Sequence, residues 1–580
     1  MSLRLRALPI VALSLVAGLL HAGAEAEEPA YGASAPTAYI VPTRHGDLFL
    51  EVVHPTLDGK VVKAPGILTY SPYNAAFGRN GDSGRWTVRG YARMTADVVG
   101  TANSGGCYDY GGKREKETGF DLVEWIAKQG WSTGKMGMIG GSYDGTTATA
   151  TATMRPPHLT TIVPEAAISR WYSYAYSGGM RYVVNNEKLG RQGPTNGLVI
   201  DEQGFDTPIG FDLGFGGTPP TDPENPRWAE RTASAMTPCE EVQHLQGGYD
   251  LDSPDYNEFW LERDYVKDAA NIRIPVLISH NWGDWNVKQE EAVNLWRALT
   301  RTKHRYLYMG HRWDNHGVPG GEYQDTVHLW MDRWLKGDRN GIDRRLAAVT
   351  SHVSDRRGPV DFVASGPPRI SPVTLYADSG GVLTPTRPTK RGSSAVVQIT
   401  GTGTESGAAH DTSPPPGANY LYFETPPLAQ DVRFFGEPKI RLTTNTGREW
   451  LTLTPSVMDI DPELRNPDGT TDESEGHVAV TRGFLDTRYA ASLAKQVRQP
   501  AGKPFTSTIL AKPQDYIFRA GHRIGLIVQT EANEWVLPKA YDAPCTSGAC
   551  LGWYLSYQGQ SSLTLPVVGP VNAKKLFAAR

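Results

Sequence analysis

The stretch Trp131-Ser-Thr-Gly-Lys-Met-Gly-Met-Ile-Gly-Gly-Ser142-Tyr-Asp-Gly145 constrains the fold more than any other part of the chain. A short apolar strand, Met136 to Ile139, runs into Gly140-Gly141-Ser142-Tyr143-Asp144-Gly145, and the small-residue run Thr146 to Ala152 then reads as the start of a helix. Glycines on both sides of a serine at a strand-to-helix turn let the backbone bend sharply, which holds the hydroxyl above a sheet and beside a helix N-terminus. The reading that follows is an α/β protein that uses Ser142 as a nucleophile.

The rest of the first half agrees. Alternating strands run from about Tyr39 to Pro72 and end in the apolar Ile67-Leu68. Further strand patterns follow at Tyr91 to Val99, Thr160 to Pro164, Ile274 to Ser279 and Arg305 to Met309, with helical patterns at Glu117 to Gln129 and Tyr323 to Leu335. Short apolar strands alternating with helices predict a mostly parallel sheet covered on both faces. Between about Ile168 and Ala270 the alternation breaks in a Tyr-, Trp-, Gly- and Pro-rich stretch. It is too long for a loop and reads as an inserted, mainly helical cap. From about Val360 short alternating strands such as Lys439 to Thr444 and Trp450 to Thr454 are separated by Gly-, Pro- and Asp-rich turns, the pattern of a β-sandwich. With 580 residues, several domains are expected. The division is a signal peptide at 1–24, a catalytic domain at 25–167 and 271–350, a cap at 168–270 and an all-β domain at 355–580.

A serine hydroxyl needs an imidazole within hydrogen-bond reach, and that imidazole needs a carboxylate to fix its tautomer. In this type of fold the chain order is Ser, then Asp or Glu, then His. The strand Ile274 to Ser279 leads into His280-Asn-Trp-Gly-Asp284, placing Asp284 just past a strand end, where open α/β sheets carry their chemistry. The next strand leads into Gly310-His311-Arg-Trp-Asp-Asn-His316-Gly317. His316, on a loop long enough to reach the serine, is the favoured base, with His311 as the alternative. Two donors must meet the oxyanion. The backbone N–H of Tyr143 is one. Tyr73, in Tyr70-Ser-Pro-Tyr73, has a phenol that can serve as the second, although on spacing alone it reads as structural.

Several motifs make the chain resemble the family of X-prolyl dipeptidyl peptidases, cocaine esterase and α-amino acid ester hydrolases. They are Pro72-Tyr73-Asn74, Gly134 to Gly145 with its Ser-Tyr-x-Gly signature, Asp255-Tyr-Asn-Glu-Phe-Trp260, Gly283-Asp284-Trp-Asn-Val287 and Ala520-Gly-His-Arg523. The resemblance implies an α/β-hydrolase core, a helical cap and a C-terminal jelly roll, and gives Tyr73 the oxyanion role. The Asp255 and Asp284 motifs look most like the dipeptidyl-peptidase branch, which releases X-Pro dipeptides through an acyl-enzyme. Around Gly310 to Pro319 the chain follows no family pattern cleanly, so both histidines stay open. An aminopeptidase also needs a carboxylate for the substrate's ammonium group, and Glu187, Glu202, Asp255 and Glu258 are the candidates.

A formal charge of −4 offers no electrostatic footprint for nucleic acid or an anionic membrane. Arg4 and Arg6 precede the apolar run Ala7 to Leu20 and the small-residue site Ala22-Gly23-Ala24, the pattern of a secretion signal. A secreted or periplasmic protein sits in an oxidising compartment, where the four cysteines would pair. Cys545 with Cys550 and Cys107 with Cys239 is one of three connectivities, which spacing does not decide. No cofactor or metal is expected from any ligand cluster. The expected partner is a small peptide or ester, with no nucleic acid and no membrane after signal cleavage; homo-oligomerisation is left open. The leading reading is a serine exopeptidase, the alternative an esterase or amidase for small acyl or α-amino acyl esters, and the remote one a binding protein on a hydrolase scaffold.

Overall fold

The computed structural model describes residues 31–182, 239–243, 245, 254–312, 316–320, 322–360, 366–390, 392–396, 419–462, 477–532, 535–537, 552–557 and 559–578. The expected leader, Glu187, Glu202, Cys545, Cys550 and the middle of the expected cap lie outside the described residues.

Among the described residues, nine strands form the central sheet: β1 (Thr37–Val41), β2 (Leu48–Val53), β3 (Ala64–Ser71), β4 (Ala92–Asp97), β5 (Ser132–Gly141), β6 (Leu159–Glu165), β7 (Val276–Asn281), β8 (Arg305–Gly310) and β9 (Val349–Ser351). Their spatial order is β9-β8-β7-β6-β5-β3-β4-β2-β1. Strands β3 to β9 run parallel, whereas β2 pairs antiparallel with both β4 and β1. The chain steps outward from β3 to β4, then crosses back to the other side of β3 for β5. That reversal is a topological switch point, and ligands of open α/β sheets sit in the crevice outside the carboxyl ends there.

Side-chain alternation along the strands explains why both faces are covered. Leu68, Met138, Ile162 and Ile278 enter one apolar cluster, and their neighbours Ile67, Ile139, Val163 and Leu277 enter another. The first face is covered by α1 (Lys113–Ala127), α2 (Tyr143–Thr153) and α3 (Glu290–Ala298), the second largely by α4 (Glu322–Met331). Helix α2 is an unusual Thr/Ala alternation that is almost wholly buried. Its hydroxyls bond back into the helix, as with Thr146 to the Ser142 carbonyl and Thr149 to the Gly145 carbonyl. Most of its threonines are therefore used without stranding a polar group, Thr151 being the exception.

Within the expected cap, the described residues hold short helices, among them Trp171–Ala175 and Glu258–Glu262, and a small hairpin made of Tyr176–Ser177 and Met180–Tyr182. The hairpin, not expected from the sequence, pairs with Val536–Leu537 of the C-terminal domain. A disulfide joins Cys107 to Cys239 and ties the far end of the insertion to the loop before α1. Among the described residues, the C-terminal domain is built mainly on one 15-stranded, almost wholly antiparallel sheet, in strands such as Ile370–Asp378, Lys439–Thr446 and Arg523–Gln529. These strands wrap a core that includes Leu375, Phe434, Ile440, Leu526 and Leu563. No helix among the described residues is long and apolar enough to cross a membrane.

Candidate active site

Ser142 directly follows β5, with φ +59° and ψ −127°. A non-glycine residue in such a conformation costs about 1–3 kcal/mol, which the surroundings must hold in place. They do so by close packing. A Cβ on Gly140 would come within 2.4 Å of the Asp144 Cβ, and one on Gly145 within 2.6 Å of the Gly140 carbonyl oxygen. The Ser142 N–H donates to the Glu165 carbonyl on β6 at 2.8 Å, and its own carbonyl accepts from the Gly145 and Thr146 N–H groups. Gly140 and Gly145 are thus set by sterics, and the serine is carried on a rigid turn.

Tyr143 opens α2, so its backbone N–H is one of the helix's first donors, which have no partner inside the helix. Its side chain is buried and pinned, since the phenol donates to Glu115 Oε2 at 2.8 Å. Burial pushes the Glu115 carboxyl up to about 8. Tyr73 lies on the loop after β3, its N–H donating to Ser71 Oγ at 3.1 Å. Its ring meets that of Tyr143 edge-on at 5.9 Å. Loop residue Tyr73 and elbow residue Tyr143 are therefore in contact across the switch point.

Asp284 is fully buried beyond β7. Its Oδ1 accepts from the backbone N–H groups of Asn286 at 3.0 Å and Val287 at 2.9 Å, an Asx-type turn that fixes the carboxylate. Its Oδ2 lies 2.8 Å from His316 Nδ1. Each hydrogen bond to an ionised group of this kind is worth about 1.5–3 kcal/mol. With Nδ1 engaged, the donor proton resides there and Nε2 lies on the opposite side of the ring, the tautomer that a general base requires. His311 lies elsewhere: its ring packs edge-on against His352 at 4.8 Å, and His352 reaches the Tyr308 hydroxyl at 3.0 Å.

Sequence reasoning missed most of what holds the acid loop. The Trp282 carbonyl accepts from Gln289 Nε2 at 2.6 Å and from Gln514 Nε2, a C-terminal-domain residue, at 2.9 Å. Lys512 of the same domain donates to Glu290 Oε1 at 2.5 Å. Tyr182 of the hairpin donates to the Trp285 carbonyl at 2.7 Å. Arg482 lies over the rings of both Trp285 and Trp535, at 4.2 and 4.0 Å. Apart from Gln289, no local sequence pattern signals these contacts, because the other partners come from the hairpin or the C-terminal domain.

Of the ammonium-binding candidates among the described residues, Asp255 accepts from the Tyr489 hydroxyl at 2.7 Å, and Glu258 sits exposed in the first turn of its helix. One trio among the described residues, Asp109, Cys239 and Glu241, has metal-ligand proximity. It does not fit a metal, because the Cys239 sulfur is consumed by the disulfide and both carboxylates are paired, with Arg263 and Arg114.

Comparison with known proteins places this geometry. Residues 47–317 match the family model described as X-Pro dipeptidyl-peptidase (S15 family), and residues 348–547 match the X-Pro dipeptidyl-peptidase C-terminal non-catalytic domain. A Bacillus cereus protein provisionally named as a Xaa-Pro dipeptidyl-peptidase is 30% identical over 498 residues, covering 81% of this chain and 76% of its own. The Xaa-Pro dipeptidyl-peptidase of Ligilactobacillus salivarius is 24% identical over 532 residues, covering 80% of this chain and 62% of its own. Among solved structures, a CocE/NonD family hydrolase of Staphylococcus aureus superposes with a TM-score of 0.67 at 16% identity, over 93% of this chain and 94% of that one. An α-amino acid ester hydrolase gives 0.65 at 18% identity, over 96% of this chain and 100% of that one. These two likenesses establish the fold, an α/β-hydrolase core followed by a β-rich domain.

Proposed function

The chain belongs to the S15 family of X-Pro dipeptidyl-peptidases, and from that premise we propose that it is a serine hydrolase releasing X-Pro dipeptides from peptide N-termini. The observation that carries this reading is the 2.8 Å pairing of buried Asp284 with His316 Nδ1, at the same sheet edge from which the strained Ser142 turn rises. In this reading Nε2 of His316 takes the Ser142 hydroxyl proton as Oγ attacks the carbonyl carbon of the proline residue. The oxyanion is met by the Tyr143 N–H and the Tyr73 hydroxyl. His316 then returns the proton to the leaving amine, whose C–N bond breaks, and a water activated by the same imidazole releases the dipeptide. Asp284 stabilises the imidazolium at both stages.

Residues 25–167 with 271–350 form the catalytic unit in this account, 168–270 the cap and 355–580 the jelly-roll wall. Asp255 and Glu258 remain the candidates for the substrate's ammonium group. The Cys107–Cys239 disulfide supports export to a secreted or periplasmic location.

A second reading, an esterase or amidase for small acyl or α-amino acyl esters, is favoured by the fold shared with the CocE/NonD and α-amino acid ester hydrolases. The ratio of kcat/KM for Ala-Pro-p-nitroanilide to that for p-nitrophenyl butyrate separates them. A peptidase turns over the anilide efficiently, and an ester-only profile overturns the peptidase assignment.

A further inference from the structure

His280 ends one turn of chain before Asp284 and is fully buried on β7. Its Nε2 lies 2.6 Å from the Val287 carbonyl oxygen and 3.3 Å from Asp284 Oδ2. A carbonyl only accepts, so Nε2 carries the proton and donates it to Val287, with the carboxylate as a close charged neighbour. Nδ1 is buried and has no hydrogen-bond partner among the described residues. A proton on it would be stranded, which makes the ring the neutral Nε2–H tautomer. Burial independently lowers its affinity for a second proton, against the pull of Asp284.

The charged surroundings fit a ring that stays neutral. Asp284, His316 and Glu290 face it, and Glu290 is paired with Lys512 of the C-terminal domain. Lys288 and Glu291, at the start of α3, turn to the base of the cap: Lys288 to the Tyr174 carbonyl, Glu291 to Ser169 and Ser173. Glu165, on the adjacent β6, accepts from Tyr323 on α4. Opposite His280 on β8 the register places apolar Met309.

We propose that His280 is a positioning residue for the Asp284–His316 pair, a second imidazole set against the same Oδ2 that meets the base. The inference rests on the reading of Asp284 and His316 as the acid and base of the hydrolase. Asp284 stands between two histidines with different tasks. His316 is part-exposed and exchanges a proton in each turnover, while His280 stays neutral and supplies a fixed donor. Anchored by its bond to the Val287 carbonyl and packed 3.3 Å from Oδ2, the His280 ring limits rotation of the carboxylate, and its N–H acts on Oδ2 as a nearby dipole. It also withdraws charge from Oδ2, so Asp284 grips the imidazolium of His316 less tightly.

The test is a pH–rate comparison of wild type, His280→Phe and His280→Gln on the better chromogenic substrate, with thermal melting to verify folding. The glutamine amide places an N–H near the position of Nε2, whereas phenylalanine keeps the ring and loses the donor. His280→Phe is expected to lower kcat/KM by roughly 10- to 100-fold, mostly through kcat, and to raise the acid-limb midpoint by about half a pH unit. His280→Gln should recover most of the rate and the wild-type midpoint.

An unmoved acid limb in folded His280→Phe, whether the rate falls or not, overturns the proposal, as does glutamine behaving no better than phenylalanine. If the phenylalanine variant does not fold, His280→Asn, whose amide is too short to reach, takes its place under the same criteria. Asp284→Asn serves as the control on the underlying reading. A wild-type rate in that variant removes the acid–base assignment itself, an outcome distinct from any result at position 280.

Discussion

Around Ser142 the holding contacts come from the strand–turn–helix unit itself and from the next strand, through Gly140, Gly145, Thr146 and the Glu165 carbonyl. Around Asp284 the local turn bonds from Asn286, Val287 and Gln289 are joined by contacts from the hairpin at the base of the cap and from the C-terminal domain, with Gln514 acting across 232 residues of sequence. The nucleophile is a local product of the chain, whereas the acid–base pair is a product of the assembled domains. The C-terminal domain, which supplies none of the proposed reacting groups, thereby becomes a condition for their alignment.

The largest effect expected on either side is that of Ser142→Ala, which should lower kcat on the order of 10⁶-fold. Because the turn is shaped by its glycines, the melting temperature should stay near wild type. A collapse in stability would mean that the hydroxyl itself helps to build the turn. Next comes Tyr73→Phe, expected to cost roughly 10- to 10³-fold in kcat with KM little changed; a wild-type kcat would remove Tyr73 from the oxyanion site.

On the other side of the comparison, Gln514→Ala removes one of two side-chain donors to the Trp282 carbonyl, from a domain that supplies none of the proposed reacting groups. A decrease in kcat of about 3- to 10-fold is expected, for a loss near 1 kcal/mol in loop positioning, while the rate of Ser142→Ala is already at background. Unchanged kcat in Gln514→Ala would show that the acid loop holds its shape without the C-terminal domain.

The nucleophile side of the molecule also carries a pH signature. Glu115, raised by burial to about 8 from an ordinary value near 4.5, binds more protons in the folded chain than in the unfolded one between those limits. Its contribution to stability is therefore complete at the low end and declines as pH rises toward 8. Glu115→Gln should flatten the dependence of the denaturation midpoint on pH over that window. An unaltered slope would mean that Glu115 does not titrate there.

What was legible in the sequence follows the same division. The parallel strands show as apolar runs and the elbow as glycines about a serine, because sterics and burial act on neighbours in the chain. Asp284 could be located from the strand that precedes it, and the structure places that strand at Val276–Asn281. The choice between His311 and His316 could not be read, since both follow β8. What distinguishes them is tertiary: one ring meets His352, the other Asp284. The pairing of Cys107 with Cys239 was one of three options, for only the fold brings their Cα atoms to 5.0 Å. The hairpin Tyr176–Tyr182 had no signal, because strands of two and three residues are too short to show a period. The strand pattern in the sequence ends at Ser279 and gives His280 no role, since its bond to the Val287 carbonyl depends on the turn closing behind it.

The most direct test of the account is fluorophosphonate labelling followed by peptide mass spectrometry, comparing wild type, His316→Ala and His311→Ala at equal folded concentration. The label is expected on Ser142 alone, at a wild-type rate in His311→Ala and at a rate reduced on the order of 10³-fold or more in His316→Ala. Labelling that survives the loss of His316 but fails without His311, or that falls on a residue other than Ser142, would contradict it.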